Sequence, residues 1–351
     1  MDIMSMNVDE AKRFFKEHGL PGYRGGQVLE WIHRRGIRDY AQMTNLPAHL
    51  RDELAHIIPL NPASVVAVSE SVDGTVKSLL ELGDGNTVET VMMKHDYGVS
   101  VCVSSQVGCA MGCAFCASGM GGLVRNLSAG EMLEQVLVAS ARCEEEGLDR
   151  VSSIVVMGSG EPMHNYDNVV RFVRLANWNR GLGIGYRHIA VSTCGIIPGI
   201  RRMAGEGLPI TLSISLHAPD DVTRSRIMPV NRVYPVGELI MACRDYAAVT
   251  GRRVTYEYAL IGSVNDSMEH AARLVSLIGG SLCHVNLIPI NPVTEAGYSR
   301  PKQQVIEAFS NMLLSAGIST TIRRELGTDI DAACGQLRQR RIHEEGGHPH
   351  D

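Results

Sequence analysis

From residue 100 onward the chain alternates short runs rich in β-branched and apolar residues with longer stretches whose apolar positions recur at helical spacing. Six such runs stand out, at residues 100–105, 152–157, 188–193, 210–217, 254–261 and 284–290, each followed by a helical pattern. Strands joined through helices pair in parallel, because each helix carries the chain back along the sheet before the next strand begins. Six units are too few to close an eight-unit barrel. The expected fold is therefore α/β, an open, partial (β/α)6 TIM-like barrel, with a doubly wound sheet as the structural alternative. Both architectures bind ligands at the carboxyl ends of their strands.

Upstream the pattern changes. Residues 8–57 read as helical, with Val28, Leu29, Ile32 and Ile37 at helical spacing and Pro21, Gly22, Gly25 and Gly26 as punctuation. Runs at 64–68, 76–82 and 87–93 are β-like and are separated by the hairpin signals Asp73-Gly74 and Asp84-Gly85. The expected organisation is a small helical domain over 1–62, a β extension over 63–98, the barrel over 99–340 and a disordered tail over 341–351, which ends EEGGHPHD. Ser128 and Glu131 form a capping-box signature ahead of a helix. The run Gly181-Leu182-Gly183-Ile184-Gly185 precedes a strand, whereas a dinucleotide loop follows one, so it reads as a turn.

A chain of 351 residues with 44% hydrophobic content can bury a substantial core. Its opening, MDIMSMNVDEAKRFF, has no basic start, apolar stretch and small-residue cleavage site, and no apolar run approaches a membrane span. Cytoplasmic location without membrane association is expected. Nine cysteines, an odd count, argue against a disulfide framework and for metal, redox or packing roles. The net charge of −5 gives no general attraction to nucleic acid. Local basic clusters remain at Lys12, Arg13 and Lys16, at Arg34, Arg35 and Arg38, at Arg323 and Arg324, and at Arg338, Arg340 and Arg341. Each taken alone reads as a solvated face.

The chemistry-bearing residues fall where the fold rule puts ligands. Cys109 to Cys116 follow the first strand, Gly158-Ser159-Gly160-Glu161-Pro162 the second, and Ser192-Thr193 ends the third. Ser215-Leu216-His217 ends the fourth and Asn291 the sixth. Any one could be an ordinary strand-end cap or turn, but together they suggest one site.

Cys109-x3-Cys113-x2-Cys116 presents three thiols from one loop, with Cys102 seven residues ahead. A closed zinc site needs four ligands, normally from two paired knuckles, and no second Cys or His pair has that spacing. A [4Fe-4S] cluster held by three cysteines leaves one iron open to chelate a substrate or cofactor. Three buried packing cysteines are the plain alternative, although packing alone would not gather them on one loop.

This spacing, with the aromatic Phe115 just before the last cysteine, resembles the radical SAM superfamily. There S-adenosylmethionine coordinates the open iron and is reductively cleaved to a 5′-deoxyadenosyl radical. More narrowly, the stretches CVSSQVGCAMGCAFCASGMGGLVRNLSAGE, MGSGEPMHNYDNV, VSTCGIIPGI, SISLHAP, CHVNLIPINPV and GTDIDAACGQLR resemble the RlmN family of dual-specificity RNA methyltransferases. That family makes 2-methyladenosine in 23S rRNA and certain tRNAs. The resemblance runs from about residue 20 to 340.

The resemblance implies a [4Fe-4S] cluster on Cys109, Cys113 and Cys116, and S-adenosylmethionine held by Gly160, Glu161, Ser192, Ser215, Leu216, His217 and Asn291. It further implies that Cys334 carries the transferred methyl, that Cys102 releases the product by attacking the sulfur of Cys334, and that Glu89 accepts a proton. Nothing local to Glu89 signals that role. Cys143, Cys194, Cys243 and Cys283 match no required position and read as packing residues. The implied partners are 23S rRNA and tRNA, plus an electron donor such as flavodoxin or ferredoxin, with the enzyme acting as a monomer. On an acidic chain, affinity for a polyanion must come from a local patch, and the basic N-terminal helices fit best. Adenine would have to leave its stack to reach such a site. Two other readings remain: a Cfr-type adenine-C8 methyltransferase, and a non-catalytic RNA-binding protein with a structural metal.

Overall fold

The computed structural model describes residues 2–119, 121–290, 298–323 and 326–330. Three N-terminal helices, α1 (Val8–Glu17), α2 (Tyr23–Arg35) and α3 (Ala48–Ile57), precede all strands. α1 begins with a capping box in which Asn7 and Glu10 satisfy each other's backbone amides. Gly25 lets α2 approach it, since a Cβ there would lie 2.8 Å from the carbonyl of Ala11. Phe15, Leu29, Ile32 and Leu54 bury their side chains in a small separate core.

Three antiparallel strands follow, β1 (Ser64–Glu70), β2 (Val76–Glu81) and β3 (Thr87–His95), then β4 (Gly98–Cys102). Gly74 and Gly85 take positive φ in the two turns, as the Asp-Gly signals demand. A short hairpin, β5 (Gln106–Gly108) with β6 (Leu123–Asn126), encloses the cysteine loop. The chain continues through α4 (Ala129–Glu145), β7 (Val151–Val156), α5 (Tyr166–Asn177), β8 (Ile189–Thr193), α6 (Ile197–Ala204), β9 (Thr211–Ser215), α7 (Asp221–Ile227) and α8 (Val236–Thr250). It ends with β10 (Val254–Leu260), α9 (Met268–Ile278), β11 (Cys283–Pro289), α10 (Gln303–Ser315) and β12 (Thr320–Ile322).

Ten strands form one sheet in the order β1-β2-β3-β4-β7-β8-β9-β10-β11-β12, parallel from β4 onward. All six expected parallel strands are present, and the architecture is the partial TIM-like barrel. β12, only three residues long, adds a seventh parallel strand that was too short to leave a pattern. The capping box of α4 forms as expected: Ser128 Oγ accepts from the amide of Glu131, whose carboxylate accepts from the amide of Ser128. The two ends of the sheet are drawn together beyond β12. Ser71 Oγ donates to Asp329 Oδ1 at 2.5 Å, and the amide of Gly327 donates to Asp73 Oδ2 at 2.7 Å.

Directly paired residues share a face of the sheet, so the register defines what lines the interior. One face carries Leu212, Ile214, Tyr256 and Tyr258, all fully buried, and the rings of Tyr258 and Phe309 of α10 lie 5.2 Å apart. That face meets the helices. The opposite face carries Ser153, Ser192, Ser213, Thr255, Glu257 and Asn286, linked by the pairings Ser192↔Ser213, Ser213↔Thr255 and Glu257↔Asn286. A closed barrel fills this space with layers of branched apolar side chains. Here the inner face is polar, which suits a site rather than a sealed core.

Candidate active site

The cysteine loop is held from both sides. The amide of Cys109 donates to Gly122 O at 2.9 Å, and the amide of Ala114 donates to Ile227 O at 2.9 Å, docking the loop on the end of α7. Cys109 is buried, while Cys113 and Cys116 are half-buried. Burial pushes the Cys113 thiol up to about 12, and the neighbouring Cys116 and Cys109 add to it as like charges. Burial also raises Cys109, against which the amides of Met111 and Gly160 donate to its sulfur. The three thiols are thus close enough to repel one another when ionised.

This donor set fits an iron–sulfur cube better than a single ion. Among the described residues no three His, Cys, Asp or Glu side chains converge on one metal position. A closed zinc site takes four ligands on one ion, whereas a cube takes each of three thiolates on a different iron. Amide donors to the Cys109 sulfur suit a ligated thiolate and tune such clusters.

The loop after β7 abuts the cysteine loop. Gly160 has φ +106°, and a Cβ there would lie 2.6 Å from Gln106 Cβ, so only glycine fits. The amide of Glu161 donates to Gln106 Oε1 at 2.8 Å. The buried carboxylate of Glu161 accepts from the amides of Met163 at 2.9 Å and Cys194 at 2.8 Å. It therefore ties the β7 loop to the end of β8, leaving backbone groups as the outward contacts.

The ends of β8 and β9 are knitted by a fully buried cation. Arg224 of α7 donates from Nε to Leu216 O at 2.9 Å, from Nη2 to Cys194 O at 2.6 Å and Ser215 O at 3.1 Å, and from Nη1 to Asn231 Oδ1 at 3.0 Å. Ser192 and Ser215 are half-buried and Leu216 is fully buried. His217 is buried at φ 57°, with Nδ1 accepting from the amide of Ala259 at 2.9 Å. Burial, and then the charge of Arg224, lowers it to about 3, so the ring is neutral. Phe115, the aromatic within the cysteine motif, meets that ring edge-on at 4.9 Å.

Deeper on the inner face, the register runs Lys77↔Val91 and Val91↔Cys102 across three strands, with Glu89 two residues along β3 from Val91. Lys77, Glu89 and Cys102 therefore share one face. Burial pushes the Cys102 thiol up to about 11, opposed by the charge of Arg323 and a hydrogen bond from the backbone of Met157, and reinforced by Glu89. Glu257 is buried as well. Burial raises it, and Asn286 Nδ2, donating to Glu257 Oε2 at 2.7 Å, works against that.

The structure thus brings together Cys109, Cys113 and Cys116, Gly160, Glu161, Ser215, Leu216 and His217 at the strand ends, with Ser192, Cys102 and Glu89 on the inner face. Asn291 and Cys334 lie outside the described residues. Of the cysteines read as packing residues, Cys143, Cys194 and Cys243 are buried and Cys283 is half-buried. Sequence reasoning missed Lys77, Gln106, Arg224 and Glu257. A lysine inside the apolar run VKSLLE was the one visible signal among them.

Comparison with known proteins agrees with this geometry. The family described as "Radical SAM superfamily" matches residues 103–275, and "Ribosomal RNA large subunit methyltransferase N-terminal domain" matches residues 1–60. The chain is 50% identical over 343 residues to the probable dual-specificity RNA methyltransferase RlmN of Geobacillus thermodenitrificans, covering 98% of this chain and 94% of that protein. It is likewise 50% identical over 342 residues to the same-named protein of Symbiobacterium thermophilum, covering 96% and 91%. The crystal structure of a radical SAM methyltransferase from Sphaerobacter thermophilus superposes with a TM-score of 0.92 at 47% identity, covering 96% of this chain and 98% of that one. A three-thiol loop at the mouth of a polar half-barrel, with relatives of such similarity over nearly the whole length, places the chain in the RlmN family of radical SAM RNA methyltransferases.

Proposed function

We propose that the protein makes 2-methyladenosine in 23S rRNA and tRNA, through a methylated cysteine at Cys334 and a resolving cysteine at Cys102. What carries this reading is that Cys102 and Glu89 lie on one inner face of the half-barrel whose mouth the cysteine loop occupies. A [4Fe-4S] cluster and S-adenosylmethionine are the cofactors of this superfamily enzyme. Cys109, Cys113 and Cys116 would hold the cluster, and the backbone at Gly160 and Glu161, with Ser192, Ser215, Leu216, His217 and Asn291, would hold S-adenosylmethionine. When bound, they supply the 5′-deoxyadenosyl radical that takes a hydrogen atom from the methylated thiol.

The chemistry explains the extra thiols. Adenine C2 lies between two ring nitrogens and is too electron-poor to attack an electrophilic methyl, but it accepts a carbon radical. The Cys334 thiolate takes a methyl from S-adenosylmethionine, and the carbon activated on it adds to C2. Glu89 accepts the C2 proton. Loss of one electron from the adduct, returned to the electron-donor chain, leaves a closed-shell thioether. The Cys102 thiolate then attacks the sulfur of Cys334, forming a disulfide while the bond from sulfur to carbon breaks with its electron pair on carbon, which takes up a proton to become the methyl group. Arg323, whose charge acts on Cys102, favours that thiolate.

The N-terminal helices would grip the RNA. Arg35 lies 4.1 Å over the Trp31 ring and Arg24 lies 5.0 Å over the exposed Tyr23 ring, a cation and aromatic pairing suited to a single-stranded polyanion. We assign 1–62 as the RNA-binding accessory domain, 63–98 as the β extension and 99–340 as the catalytic barrel; the tail expected over 341–351 lies outside the described residues. Flavodoxin or ferredoxin would deliver the electron to a monomeric, cytoplasmic enzyme. No helix among the described residues is long and apolar enough to cross a membrane.

Mass spectrometry of nuclease-digested RNA, after anaerobic reaction with the reconstituted enzyme, tests the proposal. 2-Methyladenosine is expected from the native enzyme and none from Cys334→Ala. An 8-methyladenosine product, or full activity in Cys334→Ala, would overturn it.

A further inference from the structure

Lys77 is the one lysine whose burial the fold has to explain. Its side chain is 1% exposed, that of Glu89 is 10%, and Lys77 Nζ lies 3.9 Å from Glu89 Oε1. No other ion pair among the described residues is so enclosed. Carrying an ammonium out of water costs several kcal/mol, and a buried ion pair is weak support for stability. A stabilising role is therefore a poor explanation. Placement offers a better one, because Lys77 stands in the cross-strand row that runs through Val91 to Cys102, and Glu89 lies two residues from Val91 on the same inner face.

We propose that Lys77 is a positioning residue for proton acceptance: its ammonium holds Glu89 as a carboxylate and aims it along the inner face beside Cys102. The inference rests on the reading of Glu89 as the acceptor of the adenine C2 proton. In that step the C–H bond breaks, its electron pair stays on the adduct, and the proton moves to a carboxylate oxygen. A neutral carboxyl cannot take it. In an enclosed site without a cation, a carboxyl group tends to stay neutral at pH 7, because burial disfavours its charged form. An opposing ammonium within about 4 Å reverses that balance.

Other charged and titratable groups face the same region. On β2 these are Lys77 and Glu81, the latter two residues beyond Leu79, which pairs with Glu89. On β3, His95 shares the face and its Nε2 lies 2.8 Å from Ser100 Oγ. β4 contributes Cys102, on which Glu89 and Arg323 both act. Asp73 and Asp329 lie at the β1–β2 turn, bonded to the amides of Gly327 and Val72. Of these, Lys77 is the cation at ion-pair distance from Glu89.

The test compares pH profiles of single-turnover 2-methyladenosine formation for the native holoenzyme, Lys77→Met, Lys77→Arg and Glu89→Gln. Lys77→Met should move the acid limb upward by about one to three pH units, the effect expected of an opposite charge at this separation. Activity lost at pH 7 should return at alkaline pH. Lys77→Arg should keep the limb at its native position, even at a lower rate. A carboxyl stretch in the infrared spectrum of folded Lys77→Met at pH 7, absent from Lys77→Met/Glu89→Gln, gives a readout independent of turnover. A limb that stays put in Lys77→Met while activity drops equally at every pH would make Lys77 merely structural. If Lys77→Met does not fold, a shifted limb in Lys77→Arg would overturn the proposal in its place. Native activity in Glu89→Gln would instead remove the reading on which the proposal rests, and the proposal with it.

Discussion

Release of methylated RNA should accelerate steeply with pH, because the proposed resolving thiol is held in its protonated form. Burial pushes Cys102 up to about 11, so the thiolate fraction is about 10⁻⁴ at pH 7 and about 10⁻² at pH 9. Sulfur attack on sulfur proceeds through the thiolate. If attack limits release, its rate should rise roughly a hundredfold between those two pH values, each unit counting tenfold. Arg323 favours the thiolate, so Arg323→Met should slow release at any pH below the titration. The assay is an anaerobic single turnover, quenched at intervals, in which RNA-linked protein is resolved on a denaturing gel. Cys102→Ala should accumulate the linked species without release. Decay at the same rate at pH 7 and pH 9 would refute the reasoning, since Cys102 would then already be ionised.

Two further outcomes follow from the strand ends. Gly160→Ala forces a side chain into a φ of +106° and against Gln106, which should cost about 1–3 kcal/mol in denaturant unfolding and weaken S-adenosylmethionine binding in equilibrium dialysis. Unchanged binding would separate Gly160 from the cofactor. Arg224→Met strips one donor group from the carbonyls of Cys194, Ser215 and Leu216, and each buried group left unsatisfied costs about 1–3 kcal/mol. The denaturation midpoint should fall sharply and recover in part with Arg224→Lys. A midpoint that does not move would show those carbonyls to be satisfied another way.

The parallel strands were legible because burial on both faces and helical crossovers leave a strong alternating pattern. β12 and the β5–β6 hairpin were not, since elements of three or four residues leave no period to read. The cysteine loop announced itself by spacing, as a site on one contiguous segment does. Glu89 did not, because its relation to Cys102 exists only through the register Val91↔Cys102. The same holds for Lys77, whose partner lies across a hairpin. Arg224 sits in DVTRSRI, a polar helical stretch that reads as a solvated face. Its burial follows from where α7 packs, against carbonyls of strand ends distant in sequence.

Electron paramagnetic resonance of the anaerobically reconstituted and reduced protein, with and without added S-adenosylmethionine, tests the central claim most directly. A [4Fe-4S] signal is expected that shifts when S-adenosylmethionine is added and is lost when Cys109, Cys113 or Cys116 is replaced by alanine. No cluster, or a spectrum that does not respond to S-adenosylmethionine, would contradict the account.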